Sequence, residues 1–155
     1  MNELLILLVL LCASLLVGNE FAVGVFINPS LGRLPDVSQA FAAKETARIY
    51  GKVMPFWMIG NFLLCVVLTF FAADVCSAPW WYYLTATILF GSVIVFSVLF
   101  PVPINKKIAS WDPNDLPGDW RELRKLFDKY HFVRIVLLLT ALVCLFLRAI
   151  SNYHR

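Results

Sequence analysis

Charge is scarce in this chain of 155 residues: Asp, Glu, Lys and Arg make up 15% of it, against roughly a quarter in a soluble domain. That shortfall argues against a domain surrounded by water. The four cysteines, Cys12, Cys65, Cys76 and Cys144, contain no Cys-x-x-Cys pair, which argues against a quinone-coupled thiol oxidoreductase. Cys12, Cys65 and Cys144 read as small packing residues within apolar segments. The histidines are two, His131 and His154, and His154 lies in the tail. One histidine, one glutamate and a few amides fall short of a transition-metal ligand set, so no metal is expected. A Gly-rich phosphate loop, a nucleophile elbow and a haem-attachment motif are missing as well. The net charge of +3 arises from bases interleaved with acids, which carries no nucleic-acid signature.

Hydrophobic residues make up 61% of the chain, and its mean hydropathy is +0.79. They gather in four blocks, at about 4–27, 53–73, 80–100 and 132–150. Each block holds about 20 residues, enough for one crossing of a hydrocarbon core about 30 Å thick. In lipid the backbone must satisfy its own hydrogen bonds, so the blocks are expected to be helices. They are continuous runs without period-2 alternation, which argues against a barrel. The expected fold is all-α: one domain over 1–155, an integral membrane four-helix bundle with cytoplasmic amphipathic helical extensions.

Four crossings place the loops 28–52 and 101–131 on one side, with both termini and a short 74–79 turn on the other. Ten Lys and Arg residues fall in those two loops; the opposite side has Arg148 and Arg155. Basic loops stay cytoplasmic, so both termini are expected to be exoplasmic, in a plasma or inner membrane. The acidic start Met1-Asn2-Glu3 and the length of block one favour a retained helix over a cleaved signal peptide. Trp80, Trp81, Tyr82 and Tyr83 open block three as an interfacial aromatic belt would.

Both cytoplasmic loops show helix signals. Asp36-Val37-Ser38-Gln39 matches a capping box, followed by a helix over about 37–52 with Val37, Phe41 and Ala47 or Arg48 along one side. This helix is a candidate lid or collar near the membrane surface. Pro55 then predicts a kink or a new start. Pro101, Pro103, Pro113 and Pro117 predict that the second loop begins as irregular chain. Asp119-Trp120-Arg121-Glu122 is a second capping box, opening one long helix over about 119–149. On it Phe127, His131, Arg134, Leu138 and Ala141 share a face.

Glu20 is the one acid inside block one, and an intramembrane ionisable group points to function. Counted from the cytoplasmic side, it lies roughly 10 Å deep by helix rise. Asn61 in block two has a similar depth, and Arg134 in block four can reach several ångströms along its helix. His131, Asn28 and Asn105 sit near the same level. Polar groups from separate segments therefore meet in one leaflet, with nothing comparable expected in the outer half. Two readings stay open: an ion pair that only fastens helices, and a polar pocket. Trp120 is a candidate contact for a substrate or an anchor for a surface helix.

Several strings have a familiar arrangement. Asn28-Pro29 closes the first crossing, Leu34-Pro35-Asp36 opens the next helix, and Val102-Pro103-Ile104-Asn105 follows the third crossing. Trp111-Asp112-Pro113, Asp119-Trp120-Arg121, His131 and Arg134 complete the set. Together they resemble the anthrone oxygenase-like family of small four-helix membrane proteins, over nearly the whole chain. The resemblance implies oxygenation of anthrones to anthraquinones with no metal or organic cofactor, and it marks His131, Arg134 and Asn105 as site residues. Phe127 stands where the family pattern has Trp, which removes an indole N–H.

The expected scheme makes His131 the base, near neutral in its unperturbed pKa. Arg134 and Asn105 stabilise the enolate, and Glu20 orients Arg134 or, as the alternative, acts as the base itself. Asn61, Asn28 and Trp120 are the further candidate substrate contacts. The expected partners are the bilayer and a lipophilic small molecule, with a homo-oligomer left open. The competing readings are a non-enzymatic accessory or ligand-binding membrane protein and, with little support from repeats or interrupted helices, a transporter or channel.

Overall fold

The computed structural model describes residues 2–71 and 80–153. The expected 74–79 turn, Cys76 and His154 lie outside the described residues. Among the described residues six α-helices follow one another: α1 (Asn2–Ala22), α2 (Asn28–Leu31), α3 (Asp36–Phe71), α4 (Trp80–Leu99), α5 (Pro101–Ser110) and α6 (Trp120–Tyr153). A π-helical turn, Val23–Ile27, joins α1 to α2. Four helical stretches of the described residues are long and apolar enough to cross a membrane: Glu3–Leu31, α3, α4 and Trp120–Ser151. They pack in a ring, with α1 and α4 each lying against α3 and α6. The connection 32–35, α5 and the start of α6 cluster at one end, the basic end.

Buried positions recur every three or four residues on each helix. On α1 the stripe is Val9, Ala13, Leu16 and Glu20; on α4 it is Tyr83, Ala86, Phe90, Val93 and Ser97. On α6 it runs from Trp120 and Arg124 through His131, Arg134, Leu138, Ala141 and Leu145 to Arg148. A spacing that averages 3.5 residues keeps one seam of a helix against its neighbours. Glu20, Asn61, Ser97, His131 and Arg134 are buried because they occupy this seam. On α3 the seam passes Ala40, Ala43 and Ala47, then Met54, Met58, Asn61, Cys65 and Leu68. Its spacing slips at Met54–Met58, around Pro55.

Several local expectations need correction. Of the two outcomes predicted at Pro55 the new start does not occur, since Pro55 lies inside a single continuous helix, α3. Pro101 and Pro103 fall in the first turn of a helix, α5, where the missing N–H groups would have had no intrahelical partner. Asp36 does not stand before its helix: the Pro35 carbonyl accepts the Gln39 N–H at 2.8 Å, and the Asp36 carboxylate pairs with Arg121 at 2.6 Å. Val37 and Phe41 face outward, 53% and 58% exposed, while Ala40, Ala43 and Ala47 are buried. Ala43 and Ala47 pack with Ile104 and Ile108 of α5, because small residues let two helices approach closely.

The half of the bundle away from the basic end also carries polar contacts, against expectation. Thr69 and Thr87 share a hydrogen bond of 2.9 Å, and the Trp80 indole donates to the Thr69 carbonyl. Arg148 is 4% exposed, and its guanidinium lies 5.1 Å from the Tyr83 ring centre.

Candidate functional site

The π turn brings the end of the first crossing against α6. Asn28 donates its backbone N–H to the Val23 carbonyl, and Gly24 lies inside the turn. A Cβ at Gly24 would collide with Ile135 Cδ1 and stand 3.0 Å from His131 Cδ2. The missing side chain is what lets the imidazole reach the backbone of helix α1.

Glu20, His131 and Arg134 form one contact set, as their depths suggested. A single Arg134 nitrogen, Nη2, lies 2.6 Å from Glu20 Oε2 and 2.8 Å from His131 Nδ1. Arginine can only donate, so Nδ1 accepts and the neutral ring carries its proton on Nε2. That N–H donates to the Glu20 backbone carbonyl at 3.1 Å. Exposure is 1% at Glu20, 2% at His131 and 8% at Arg134. Charges this deep must pair, since an unpaired one costs several kcal/mol. Two atoms of the set, Glu20 Oε1 and Arg134 Nε, are buried without a hydrogen-bond partner among the described residues.

A second network lies about two turns earlier on α6. Arg124 donates to Asn28 Oδ1 at 2.6 Å, Asn28 Nδ2 donates to Asp128 Oδ1 at 2.9 Å, and Arg124 sits 3.3 Å from Asp128. Arg124 and Asp128 were not expected from the sequence. Their signal was there, since Arg124 and His131 are one heptad apart on the α6 seam.

Two cavities adjoin these networks. The larger, about 180 Å³, lies between α3, α4, α5 and α6 and is lined mostly by apolar side chains such as Met54, Met58, Ile94 and Val98. The smaller, about 30 Å³, is lined by Asn28, Arg124 and His131 among others. Tyr50, Asn105, Phe127 and Arg134 line both. Phe127 stacks on His131 with ring centres 5.9 Å apart. Asn105 Nδ2 donates to the Ala47 carbonyl at 2.9 Å, and Tyr50 donates its hydroxyl to Asn19 Oδ1 at 3.1 Å. Ser97 lines the larger cavity with its buried Oγ unpartnered among the described residues. Ser97 and Tyr50 went unnoticed in the sequence.

The remaining candidates separate from this group. Asn61 donates to the Trp57 carbonyl of its own helix at 3.0 Å and lines neither cavity. Trp120 is 7% exposed and packs edge-on against Trp111 at 6.1 Å, away from both cavities. Glu20 lines neither cavity and reaches them through Arg134. Among the described residues no group of three or more His, Cys, Asp or Glu could hold a metal ion.

Four apolar crossings around buried charges define a multi-pass helical membrane protein. A family model described as anthrone oxygenase matches residues 48–144, more than half of the chain. The chain belongs to the anthrone oxygenase family. No curated protein and no solved structure matches it. The matched span includes the cavity walls from Tyr50 to Arg134, while Glu20, Gly24 and Asn28 precede it.

Proposed function

We propose that this protein binds a lipophilic phenol or enolisable aromatic ketone in the larger cavity and promotes its oxygenation by dioxygen. The observation that carries the reading is Arg134, a buried guanidinium that lines a mostly apolar cavity and whose Nε has no hydrogen-bond partner among the described residues. Family membership supports the chemistry. The basic end would face the cytoplasm, by the excess of Lys and Arg there.

For an anthrone the overall change is anthrone plus dioxygen to anthraquinone plus water. The enol loses its proton to water at the Lys106 end of the cavity, and the Arg134 charge favours the resulting enolate. The enolate passes one electron to dioxygen, and the radical pair joins at carbon. Proton uptake gives the hydroperoxide, which loses water to leave the second carbonyl. Arg134 and Ser97 are the donors to the enolate oxygen, with Asn105 beside them. Such donors gain strength in a dry site.

On this reading His131 positions Arg134 rather than removing the proton. Its Nδ1 lone pair already accepts from Arg134, and its Nε2–H is directed at the Glu20 carbonyl. Glu20 holds the same guanidinium from the other side. Protein in lipid nanodiscs, offered an anthrone under air, should consume oxygen and release the quinone. Arg134→Gln should lower the rate about 10²-fold, the scale of one lost oxyanion donor. A pH–rate limb near neutrality that disappears in His131→Ala would return the base role to His131. Binding without oxygen uptake, across anthrones and hydroquinones, would leave a ligand carrier in place of an enzyme.

A further inference from the structure

The larger cavity is open on one side, and the composition of its rim indicates what passes there. Gly51, Pro55 and Ile59 form the α3 edge, repeating every four residues over about 12 Å of helix, and Val98 faces them from α4. All four are exposed, Ile59 by 45% and Val98 by 60%. In a membrane-spanning bundle such side chains meet lipid tails. Glycine and proline keep the α3 edge free of long side chains. Pro55 also has no N–H to give the Gly51 carbonyl.

The deep wall has the opposite character. Ser97 and Arg134 belong to it, and their Oγ and Nε are buried without a partner among the described residues. A hydroxyl-bearing ring matches this arrangement, since its oxygen accepts from both donors and can donate in return. Size narrows the class further. A cavity of about 150 Å³ takes benzene, so 180 Å³ holds one aromatic ring, with the rest of any larger ligand in the open side.

We infer that the slot between α3 and α4 is a lateral port from the bilayer, and that its ligand seats one hydroxyl-bearing ring in the cavity and leaves an apolar tail or further rings in the port. The ring sits in the cavity with its oxygen on Arg134 and Ser97. The tail leaves over Ile59 and Val98 and stays among the lipid chains. This rests on the preceding reading that the cavity holds a ligand, and it specifies which ligand and by which route.

The test compares 4-octylphenol with 4-methylphenol on protein in nanodiscs. Binding is read as the rise in unfolding temperature, with each phenol expressed as its mole fraction in lipid. Val98→Trp and Ile59→Trp narrow the port at lipid-facing positions, outside the polar wall. The expected result is a loss of octylphenol affinity of at least tenfold in each variant, with methylphenol changed by less than about threefold. If both phenols bind the unsubstituted protein and the tryptophans affect them equally or not at all, the port is overturned while the ligand reading stands. If neither phenol binds the unsubstituted protein, the ligand reading itself fails and takes the port with it.

Discussion

Glu20→Leu isolates the ion pair from everything else the first crossing does. The substitution removes the acceptor 2.6 Å from Arg134 Nη2 and leaves a guanidinium that is 8% exposed with Nε already unpartnered. Stranding one member of a buried pair costs about 3–5 kcal/mol. Arg134 sits near the basic end of its crossing, so its side chain can recover part of that by reaching toward water. The expected cost is therefore about 3 kcal/mol, roughly a 10²-fold fall in the folding equilibrium. The double variant Glu20→Leu/Arg134→Leu removes both charges from the seam and should return to within about 2 kcal/mol of the original, because apolar replacement of a whole pair is often neutral. Reversible unfolding in mixed micelles measures all three, with Arg134→Leu completing the cycle. The reasoning is refuted if Glu20→Leu costs under about 1 kcal/mol, or if the double variant costs the sum of the two singles. The restored double variant should still fail to bind phenols, since stability and ligand recognition part company at Arg134.

Gly24→Ala should lower stability by about 1–3 kcal/mol, because its Cβ meets Ile135 and His131; an unchanged melting temperature would show that α1 can move aside freely. Asn28→Leu should cost about 1–3 kcal/mol by stripping Arg124 and Asp128 of their shared amide, and a neutral effect in thermal unfolding would make that network ornamental. Asn61→Leu should stay within about 1 kcal/mol in unfolding and leave phenol affinity unchanged, since its buried Oδ1 has no partner to lose. A tenfold change in that affinity would place Asn61 in the site after all.

The crossings and the meeting of Glu20, His131 and Arg134 were legible because charge inside a greasy run is rare and depth can be counted along a helix. The inward face of α3 was not. An apolar stripe does not by itself say which face packs inward, and the side shared by Val37 and Phe41 is the exposed one. In this chain the outside is apolar too, and the inside is marked by Ala40, Ala43 and Ala47. Pro101 and Pro103 read as breakers, although a proline in a first turn breaks nothing. Ser97 escaped notice because a serine in an apolar helix is ordinary until its hydroxyl is found buried and unpartnered. Arg124 and Arg148 were counted as charges for topology, and both turn out to lie on the buried seam of α6.

The five-residue turn Val23–Ile27 has a consequence for chain length. Eight residues of regular α-helix rotate the backbone by about 800°, which would leave Glu20 and Asn28 about 80° apart. A π turn absorbs one additional residue, so the pair behaves as if separated by seven, about 20° apart, and both side chains meet α6. Deleting one residue from the turn would therefore preserve both polar networks in an unbroken α-helix. Deleting two, or adding one, would swing Asn28 by about 100° and part it from Arg124.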